Sequence, residues 1–360
     1  MSQSLAVPTT QKALVLHEQF GELRVDTIEV PKPAAGEVLI RVESTAMNPL
    51  DYKIQELGLF VDSYPSILGL DASGVVVEIG RGVRNLAVGD RVTFGGSFFD
   101  FRFGSYQQYA VMGADITFKI PPNISFDQAA TIPIGLATAV NGLYGDFTPQ
   151  EERSGAGLTP FWREGGRGMY ADQPILIFGG SSSVGQYVIQ VARLSGFSPI
   201  IATASQRNAE LLKSLGADHV IDRSLPASRI TEEVREITKK PLKIIYDTIS
   251  LPETQTHGVK LLAQRGILLI TLPHEVDKAT VAAEAKHVGL VFGKFIIPQY
   301  RKLCSELSDV LPRALQKGEI KTNIPEIIPG GLGGILEGLD RLKSNKVSAR
   351  KLVVRPPETR

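Results

Sequence analysis

The sequence predicts an α/β protein that combines a β-rich part with a doubly wound parallel sheet. Short strand-like segments separated by Gly, Pro and Asp fill residues 12–121. From residue 175 onward, strand-like and helical segments alternate, which is typical of a parallel sheet wrapped by helices. Residues 351–355 read as a strand of the β-rich part again, so we expect the first domain to be discontinuous. The predicted segments are 1–127, 128–297 and 298–360.

The β-rich part predicts a compact, partly open barrel. Its strand-like segments are short, and turn residues such as Gly21, Pro31 and Gly89 separate them. The segments are 12–17, 23–30, 37–42, 73–79, 91–94, 106–111 and 116–120.

The second part opens with a helical pattern over 126–144 that Pro133 interrupts. Strand and helix then alternate without an internal repeat. Strands are predicted at 175–178, 199–204, 219–221, 242–247 and 267–272. Helices are predicted at 184–196, 207–215, 229–239 and 254–264, and a last helix is predicted after this part, near 300–317.

The turn between the first strand and helix of the second part predicts an anion site. Residues 175–196 read ILIFGGSSSVGQYVIQVARLSG, a buried strand, a loop of small residues and a helix. Gly180 and Gly185 occupy the outer positions of G-x-G-x-x-G, and Ser182 replaces the middle glycine. Backbone N–H groups and the positive end of the helix dipole meet there, as in sites for a dinucleotide pyrophosphate. An ordinary tight turn is the alternative.

The residues after the second strand indicate which nucleotide is bound. An NAD site usually places an acidic residue here to hold the ribose 2′-hydroxyl. This chain has Ser205 and Arg207 instead, and its first acid, Glu210, lies inside the next helix. Because these donors suit a 2′-phosphate, we expect NADPH; a solvated Arg at a helix start is the alternative. Thr248 ends a later strand at the sheet edge where cofactors bind.

Composition narrows the functional class. The 360 residues carry a net charge of +1, which gives no reason to expect nucleic acid or an anionic membrane as a partner. The single Cys304 excludes an internal disulfide and a zinc site built from several thiolates. No apolar run approaches the ~18–20 residues of a membrane span, and the first residues lack the plan of a signal peptide. We therefore expect a cytoplasmic protein.

Two aperiodic segments have open interpretations. Residues 145–172 are polar and Gly-rich, and are either a flap over a substrate pocket or a disordered excursion. Residues 98–103 are rich in Phe, and either line an apolar substrate pocket or pack against the second domain.

Five motifs in order resemble a known superfamily. Residues 48–53 read N-P-L-D-Y-K, residues 69–75 read G-L-D-A-S-G-V and residues 89–92 read G-D-R-V. With the loop at 179–185 and the closing residues 350–353, they resemble the elements of the medium-chain dehydrogenase/reductase superfamily. The resemblance covers nearly the whole chain. It implies a GroES-like β-barrel catalytic domain and a Rossmann nucleotide-binding domain.

Two features of the chain resemble the fungal toxD-like subgroup of this superfamily. They are G-G-S-S-S-V-G at 179–185 and the long segment before it. The subgroup includes enoyl reductases that act with polyketide synthases, and related quinone reductases. Members of the superfamily often dimerise through the edge of the nucleotide sheet, here near Ile267–Leu272, although a central buried strand would have the same composition. A monomer and a homodimer both remain expectations.

The resemblance also bears on zinc. Zinc-dependent members carry a cysteine ligand where this chain has Asn48 and a histidine where it has Leu70. The thiolates of their structural zinc are absent from residues 95–113. Catalytic zinc takes about three protein ligands, so we expect a metal-free site. A site rescued by Asp71 and His17 is the alternative.

The resemblance implies roles for individual residues. Asn48 is placed beside the nicotinamide and the substrate carbonyl, Lys53 contacts the ribose or the carbonyl, and Tyr52 is a candidate proton donor. Thr138 is placed against the nicotinamide. Each residue also has an ordinary structural alternative. Asn48 would be a turn residue, Lys53 a solvated lysine and Tyr52 a packing aromatic. Thr138 would be a helix-interior threonine bonded to its own backbone. The cofactor set implied or predicted is Gly180, Ser181, Ser182, Ser183, Val184, Gly185, Ser205, Arg207, Thr248 and Lys351.

Together these observations predict an NADPH-dependent, zinc-independent reductase. Its acceptor would be an activated C=C bond, as in an enal, an enone or an enoyl chain on a carrier protein, or a quinone. A carbonyl or alcohol dehydrogenase of the same superfamily and a non-catalytic NADPH-binding protein are the alternatives.

Overall fold

A computed structural model describes residues 7–148 and 150–360, so the first residues, on which the expectation about a signal peptide depends, lie outside it. The chain divides into two compact units. Unit 1 comprises the residues up to Ile134 together with Phe295–Gly318 and Thr322–Arg360, and unit 2 comprises Gly135–Lys294 and Glu319–Lys321. The α/β class predicted from the sequence is confirmed.

The strands of the described residues are numbered in chain order. They are β1 Thr10–Leu16, β2 Leu23–Glu29, β3 Glu37–Ala46, β4 Ser66–Ile67, β5 Asp71–Ile79, β6 Arg91–Gly95, β7 Tyr109–Gly113, β8 Thr117–Lys119, β9 Ile175–Phe178, β10 Ile200–Ala204, β11 His219–Asp222, β12 Ile244–Asp247, β13 Ile267–Ile270, β14 His287–Leu290, β15 Ile324–Ile327 and β16 Arg350–Val354.

The helices are numbered in the same way, and none within the described residues is long and apolar enough to cross a membrane. They are α1 Pro49–Leu57, α2 Phe126–Ala129, α3 Pro133–Tyr144, α4 Ser183–Ser195, α5 Ala209–Leu215, α6 Ala227–Ile237, α7 Pro252–Leu261, α8 Lys278–Ala283, α9 Pro298–Gln316 and α10 Gly334–Lys343.

Unit 1 is organised around β3. This strand pairs antiparallel with β5, β7 and β16, and the larger sheet runs in the order β15-β16-β3-β5-β6-β8. A smaller sheet, β2-β1-β4, contacts the segment just before β7 through Leu14, whose N–H donates to the Tyr106 carbonyl at 2.8 Å. Buried aliphatic residues of β1, α1 and α10 fill the core between these elements. The long β3 therefore brings residues of β5, β7 and β16 next to one another.

Unit 2 contains one six-stranded parallel sheet in the order β11-β10-β9-β12-β13-β14. The strand earliest in the chain, β9, lies between β10 and β12, so the strand order reverses at this strand. Ligands of such sheets bind beyond the carboxyl ends of the strands at the reversal. The interpretation of Ile267–Leu272 as an edge strand is wrong, because β13 pairs with both β12 and β14.

The segment 145–172 is not a disordered excursion in its described residues. Ala156 N–H donates to the Gly142 carbonyl at 2.7 Å, and Tyr170 N–H donates to the Ser195 carbonyl at 2.9 Å. Leu290 of the edge strand β14 donates to the Glu152 carbonyl at 2.9 Å. The periodic pattern of apolar residues in the sequence does not predict hydrogen bonds of this kind to elements of unit 2. The interpretation as a flap stays a prediction.

Two local features differ from the sequence expectation. Residues 49–57 form α1, a helix that the sequence analysis did not predict, and Asn48 precedes it as the N-cap residue with Pro49 at the first helical position. Pro133 likewise begins α3 rather than interrupting a longer helix.

In the Phe-rich segment, Phe98 is buried in unit 1 and Phe99 is exposed.

Candidate active site

A closed group of buried polar side chains surrounds the start of α1 in unit 1. Lys351 Nζ donates to Asn48 Oδ1 at 2.5 Å and pairs with Asp71 Oδ2 at 2.9 Å. Asn48 Nδ2 donates to the same Asp71 oxygen at 2.8 Å. All three residues are at most 7% exposed. One buried ammonium is therefore shared by a carboxylate and an amide.

The pairing of β3 explains why these residues meet. Ala46, at the end of β3, faces Asp71 of β5 on one side and Val353 of β16 on the other. Met47 N–H then donates to the Leu352 carbonyl at 3.0 Å, and the chain turns into α1. Strand register thus delivers Asp71 and Lys351 to the residue that precedes the helix.

Asp51 adds a second buried carboxyl to this group, and sequence reasoning assigned it no role. Its Oδ2 accepts from Asn48 N–H at 2.8 Å and from the Tyr106 hydroxyl at 2.7 Å. Its Oδ1 has no hydrogen-bond partner among the described residues. Burial raises the pKa of Asp51 to about 6, although both hydrogen bonds and the Lys351 ammonium oppose the rise. The N-x-x-D spacing of a helix cap was the signal that could have identified it.

Lys53 and Tyr52 lie on the same helix in different surroundings. Partial burial lowers the pKa of Lys53, and no carboxylate partner for it occurs within the part of the chain that the structure describes. A half-buried cation of this kind is suited to hold an anionic or polar ligand atom. Burial, followed by the charge of Glu56, raises the pKa of Tyr52, which packs against the core of unit 1.

In unit 2, the loop after β9 is shaped by its glycines and closed by a serine cap. Gly179 has φ +75°, which favours glycine. A Cβ on Gly185 would lie 2.3 Å from the Gly179 carbonyl oxygen, so only glycine lets α4 start this close to the strand. Ser182 caps the helix, since its Oγ accepts from Gly185 N–H at 2.9 Å. The small loop and capped helix fit a pyrophosphate.

Hydrogen bonds define what the other loop residues do. Gly180 N–H donates to the Thr203 carbonyl at 2.9 Å, so this glycine contributes close packing rather than a free donor. Thr248 Oγ1 donates to the Phe178 carbonyl at 2.8 Å and lies 2.9 Å from Ser182 Oγ. Thr248 therefore ties the end of β12 to the loop. Ser181, Ser183 and Val184 occupy the loop and the first turn of α4, where the sequence placed the pyrophosphate.

The end of β10 carries basic side chains. Ser205 is partly exposed, and Arg207 is exposed with no carboxylate partner among the residues that the structure describes. Glu210, the nearest acid along the chain, pairs with Lys213 at 3.2 Å. Sequence reasoning missed Arg223, whose N–H donates to the Ala204 carbonyl at 3.0 Å and which therefore lies beside Ser205. The parallel pairing of β10 with β11 brings Arg223 to this position. It could have identified Arg223 only if the order of the strands in the sheet had been known.

Thr138 lies within α3 and is buried. Its backbone carbonyl accepts from the Tyr246 hydroxyl at 2.7 Å, which anchors α3 to β12. A Cβ on Gly142, one turn later, would lie 2.4 Å from that hydroxyl oxygen, so the glycine permits this contact. The structure therefore fixes the backbone of Thr138 within unit 2.

Known proteins match the chain over nearly its whole length. Residues 34–122 match the family model described as "Alcohol dehydrogenase GroES-like domain". Residues 183–294 match the family model described as "Zinc-binding dehydrogenase". The trans-enoyl reductase grgB from a Penicillium species is 30% identical over 366 residues, which cover 97% of this chain and 99% of that protein. The chain belongs to the medium-chain dehydrogenase/reductase superfamily. It is therefore an oxidoreductase, as the sequence motifs predicted.

Solved structures agree with the superfamily fold. A quinone oxidoreductase from Pseudomonas syringae pv. Tomato DC3000 superposes with a TM-score of 0.76 at 21% identity, covering 96% of this chain and all of that one. A mycobacterial protein complexed with NADPH gives a TM-score of 0.76 at 23% identity, with the same coverage. At these identities the likeness concerns the fold alone. The GroES-like and Rossmann-like assignments of units 1 and 2 are thereby confirmed.

The residues named in the alternative of a rescued zinc site, Asp71 and His17, are both engaged with other side chains. Asp71 is paired with Lys351, and its second oxygen accepts from Ile134 N–H at 2.7 Å. His17 lies in the hairpin of β1 and β2, where its Nε2 is 2.6 Å from Asp26 Oδ2. Within residues 7–148 and 150–360, no three His, Cys, Asp or Glu side chains form a group suited to a metal ion.

Proposed function

We propose that this protein is an NADPH-dependent, zinc-independent reductase of activated C=C bonds or quinones. Relatives named trans-enoyl reductase, 30% identical over nearly the whole chain, support the enoyl acceptor. The quinone oxidoreductase with the same fold supports the quinone as the second acceptor class. The proposal assigns cofactor binding to unit 2 and the handling of the substrate oxygen to unit 1.

The basic end of β10 is the observation that carries the proposal. Arg207 and Arg223 lie where an acidic residue would hold the 2′-hydroxyl of NAD, and a guanidinium binds a phosphate through paired N–H donors. The capped start of α4 and residues 181–184 would hold the pyrophosphate. When bound, NADPH supplies a hydride. Thr138 and Thr248 would keep α3 and the loop in place around it.

Unit 1 supplies donors for a substrate oxygen on which negative charge develops. Asn48 Nδ2 has two hydrogens, and the structure describes one acceptor for them, Asp71 Oδ2. Lys53 contributes a half-buried positive charge. Fixed donors of this kind stabilise developing charge without reorganising during the reaction. Tyr52 remains the proposed proton donor.

The cation at Asp71 supports zinc independence. Lys351 holds its ammonium 2.9 Å from the carboxylate that a metal would use, and a second cation there would meet strong repulsion in a buried setting. Neither Asn48 nor Leu70 is a common zinc ligand.

The test is an acceptor panel with purified protein, reading oxidation of the reduced nicotinamide. We expect turnover with enones, enoyl thioesters or quinones, preference for NADPH over NADH, and no effect of a chelator. Turnover that a chelator abolishes and a metal restores would instead identify a metal-dependent carbonyl or alcohol dehydrogenase. Tight NADPH binding without oxidation across the panel would identify a non-catalytic binding protein.

Comparing free enoyl thioesters with the same chains on a carrier protein decides the substrate form. A large gain in kcat/KM on the carrier would indicate that carrier-bound chains are the substrates. Equal values would indicate a free small molecule.

A further inference from the structure

The contacts of Lys351 suggest a role that differs from cofactor binding. Its Nζ lies within 2.9 Å of both Asp71 Oδ2 and Asn48 Oδ1, and the side chain is 5% exposed. Asp71 is fully buried and holds its second oxygen on the Ile134 N–H. The ion pair is thus fixed at both ends before any ligand binds.

This pair leaves the Asn48 amide one orientation. An ammonium can only donate and a carboxylate can only accept, so the amide oxygen must face Lys351 and the amide nitrogen must face Asp71. Rotating the amide by half a turn would place Nδ2 against the ammonium and Oδ1 against the carboxylate, and both contacts would become repulsive. The second Nδ2 hydrogen is consequently held in a constant direction.

We propose that Lys351 and Asp71 are positioning residues that lock the Asn48 amide so that its second N–H can donate to a substrate oxygen. The inference rests on the proposed reductase function, which it deepens by naming the groups that orient the donor. Asn48 is the residue that touches substrate, and the ion pair acts through it. A donor that is already oriented stabilises developing charge at no cost in rotational freedom.

A purely structural role for the pair is the competing explanation, because Asp71 requires a counter-charge wherever it is buried. Lys351→Met alone would leave the buried Asp71 carboxylate without a counter-charge, which is strongly destabilising. The test therefore uses the double variant Lys351→Met/Asp71→Asn, which removes both charges together. The half-exposed pair Arg301–Asp115 in the same unit supplies the matched control, Arg301→Met/Asp115→Asn.

Three readouts are compared in the wild type, in Lys351→Met/Asp71→Asn (the charge-free pair), in Asn48→Ala, in the combination of all three substitutions and in the control pair. They are the NADPH dissociation constant, the single-turnover rate with an enone, and solvent exchange of the Asn48 side-chain amide hydrogens by ¹⁵N NMR. The Asn48 signals are assigned by their loss in Asn48→Ala. We expect the charge-free pair to leave the NADPH dissociation constant within about twofold, and to lower the rate by about tenfold or more when Asn48 is present. When Asn48 is absent, the rate should fall no further. Amide exchange should quicken at least tenfold, and the control pair should change nothing.

The outcomes separate the inference from the proposed function. Equal rate losses with and without Asn48, or weakened NADPH binding with an unchanged rate, would overturn the positioning role. If the wild type turns over no acceptor, the reductase proposal fails. Amide exchange then decides the inference alone: faster exchange in the charge-free pair supports the lock, and unchanged exchange overturns it.

Discussion

The carboxyl of Asp51 should make the stability of the protein depend on pH in a predictable direction. Burial raises its pKa from 3.8 to about 6 in the folded state. A raised carboxyl pKa contributes stability that is fully present below the unfolded value and is lost as pH rises through the folded value. The rise corresponds to about 3 kcal/mol, because each pKa unit is worth ~1.4 kcal/mol.

Asp51→Asn removes this titration while keeping an oxygen for Asn48 N–H and the Tyr106 hydroxyl. The substitution also changes the unfolding free energy by an amount that does not depend on pH. We therefore compare how the difference in unfolding free energy between variant and wild type changes with pH. Between pH 5 and pH 8 we expect that difference to shift by roughly 1.4 kcal/mol in favour of the variant.

Urea unfolding at pH 5, 6, 7 and 8 measures this shift. Asp309→Asn, a change at an exposed position of α9, is the matched control and should run parallel to the wild type. If Asp51→Asn also runs parallel, then Asp51 does not titrate near pH 6, and the account of its burial against Tyr106, Asp71 and Lys351 is wrong.

Three further changes test unit 2. Arg207→Ala should raise the NADPH dissociation constant about tenfold or more, because it removes a charge-assisted contact to the 2′-phosphate, and should leave the NADH dissociation constant unchanged. Fluorescence titration measures both constants, and Arg229→Ala is the control. Gly185→Ala should lower the melting temperature and NADPH affinity, because its Cβ would sit 2.3 Å from a carbonyl oxygen, whereas Gly333→Ala has open space and should be neutral. Replacing residues 150–154 with a Gly-Ser linker uncovers β14 and should promote self-association, read by light scattering; a monodisperse species of unchanged mass would contradict this.

Local patterns were enough to predict the elements whose residues carry their own signal. The apolar run of β9, the small loop and the amphipathic α4 appear in the sequence in that order, and the structure has them within a residue or two. The alternation of strands and helices predicted the parallel sheet for the same reason. Its strand order, which places Arg223 beside Ser205, depends on packing and does not appear in any single segment.

The candidate site of unit 1 could be predicted only in part. The motif around Asn48 identified the residue through a resemblance, and Asp71 and Lys351 belonged to other motifs without a known link to it. The link arises because β3 pairs with β5 on one side and with β16 on the other, contacts that join residues 303 positions apart. Hydrogen bonds over such separations leave no periodic trace in a sequence. The burial of Asp51 was hidden in the same way.

The joining of β16 to β3 has a consequence for biosynthesis. A ribosome completes residues 135–294, which are all of unit 2 except Glu319–Lys321, before it reaches Lys351, so most of unit 2 is synthesised while the end of unit 1 is not. During that interval Asp71 lacks its ammonium, and the sheet of unit 1 lacks a strand beside β3. A nascent chain that stalls before residue 350 would carry most of unit 2 attached to a unit 1 in which β3 lacks one pairing strand and Asp71 lacks its counter-charge.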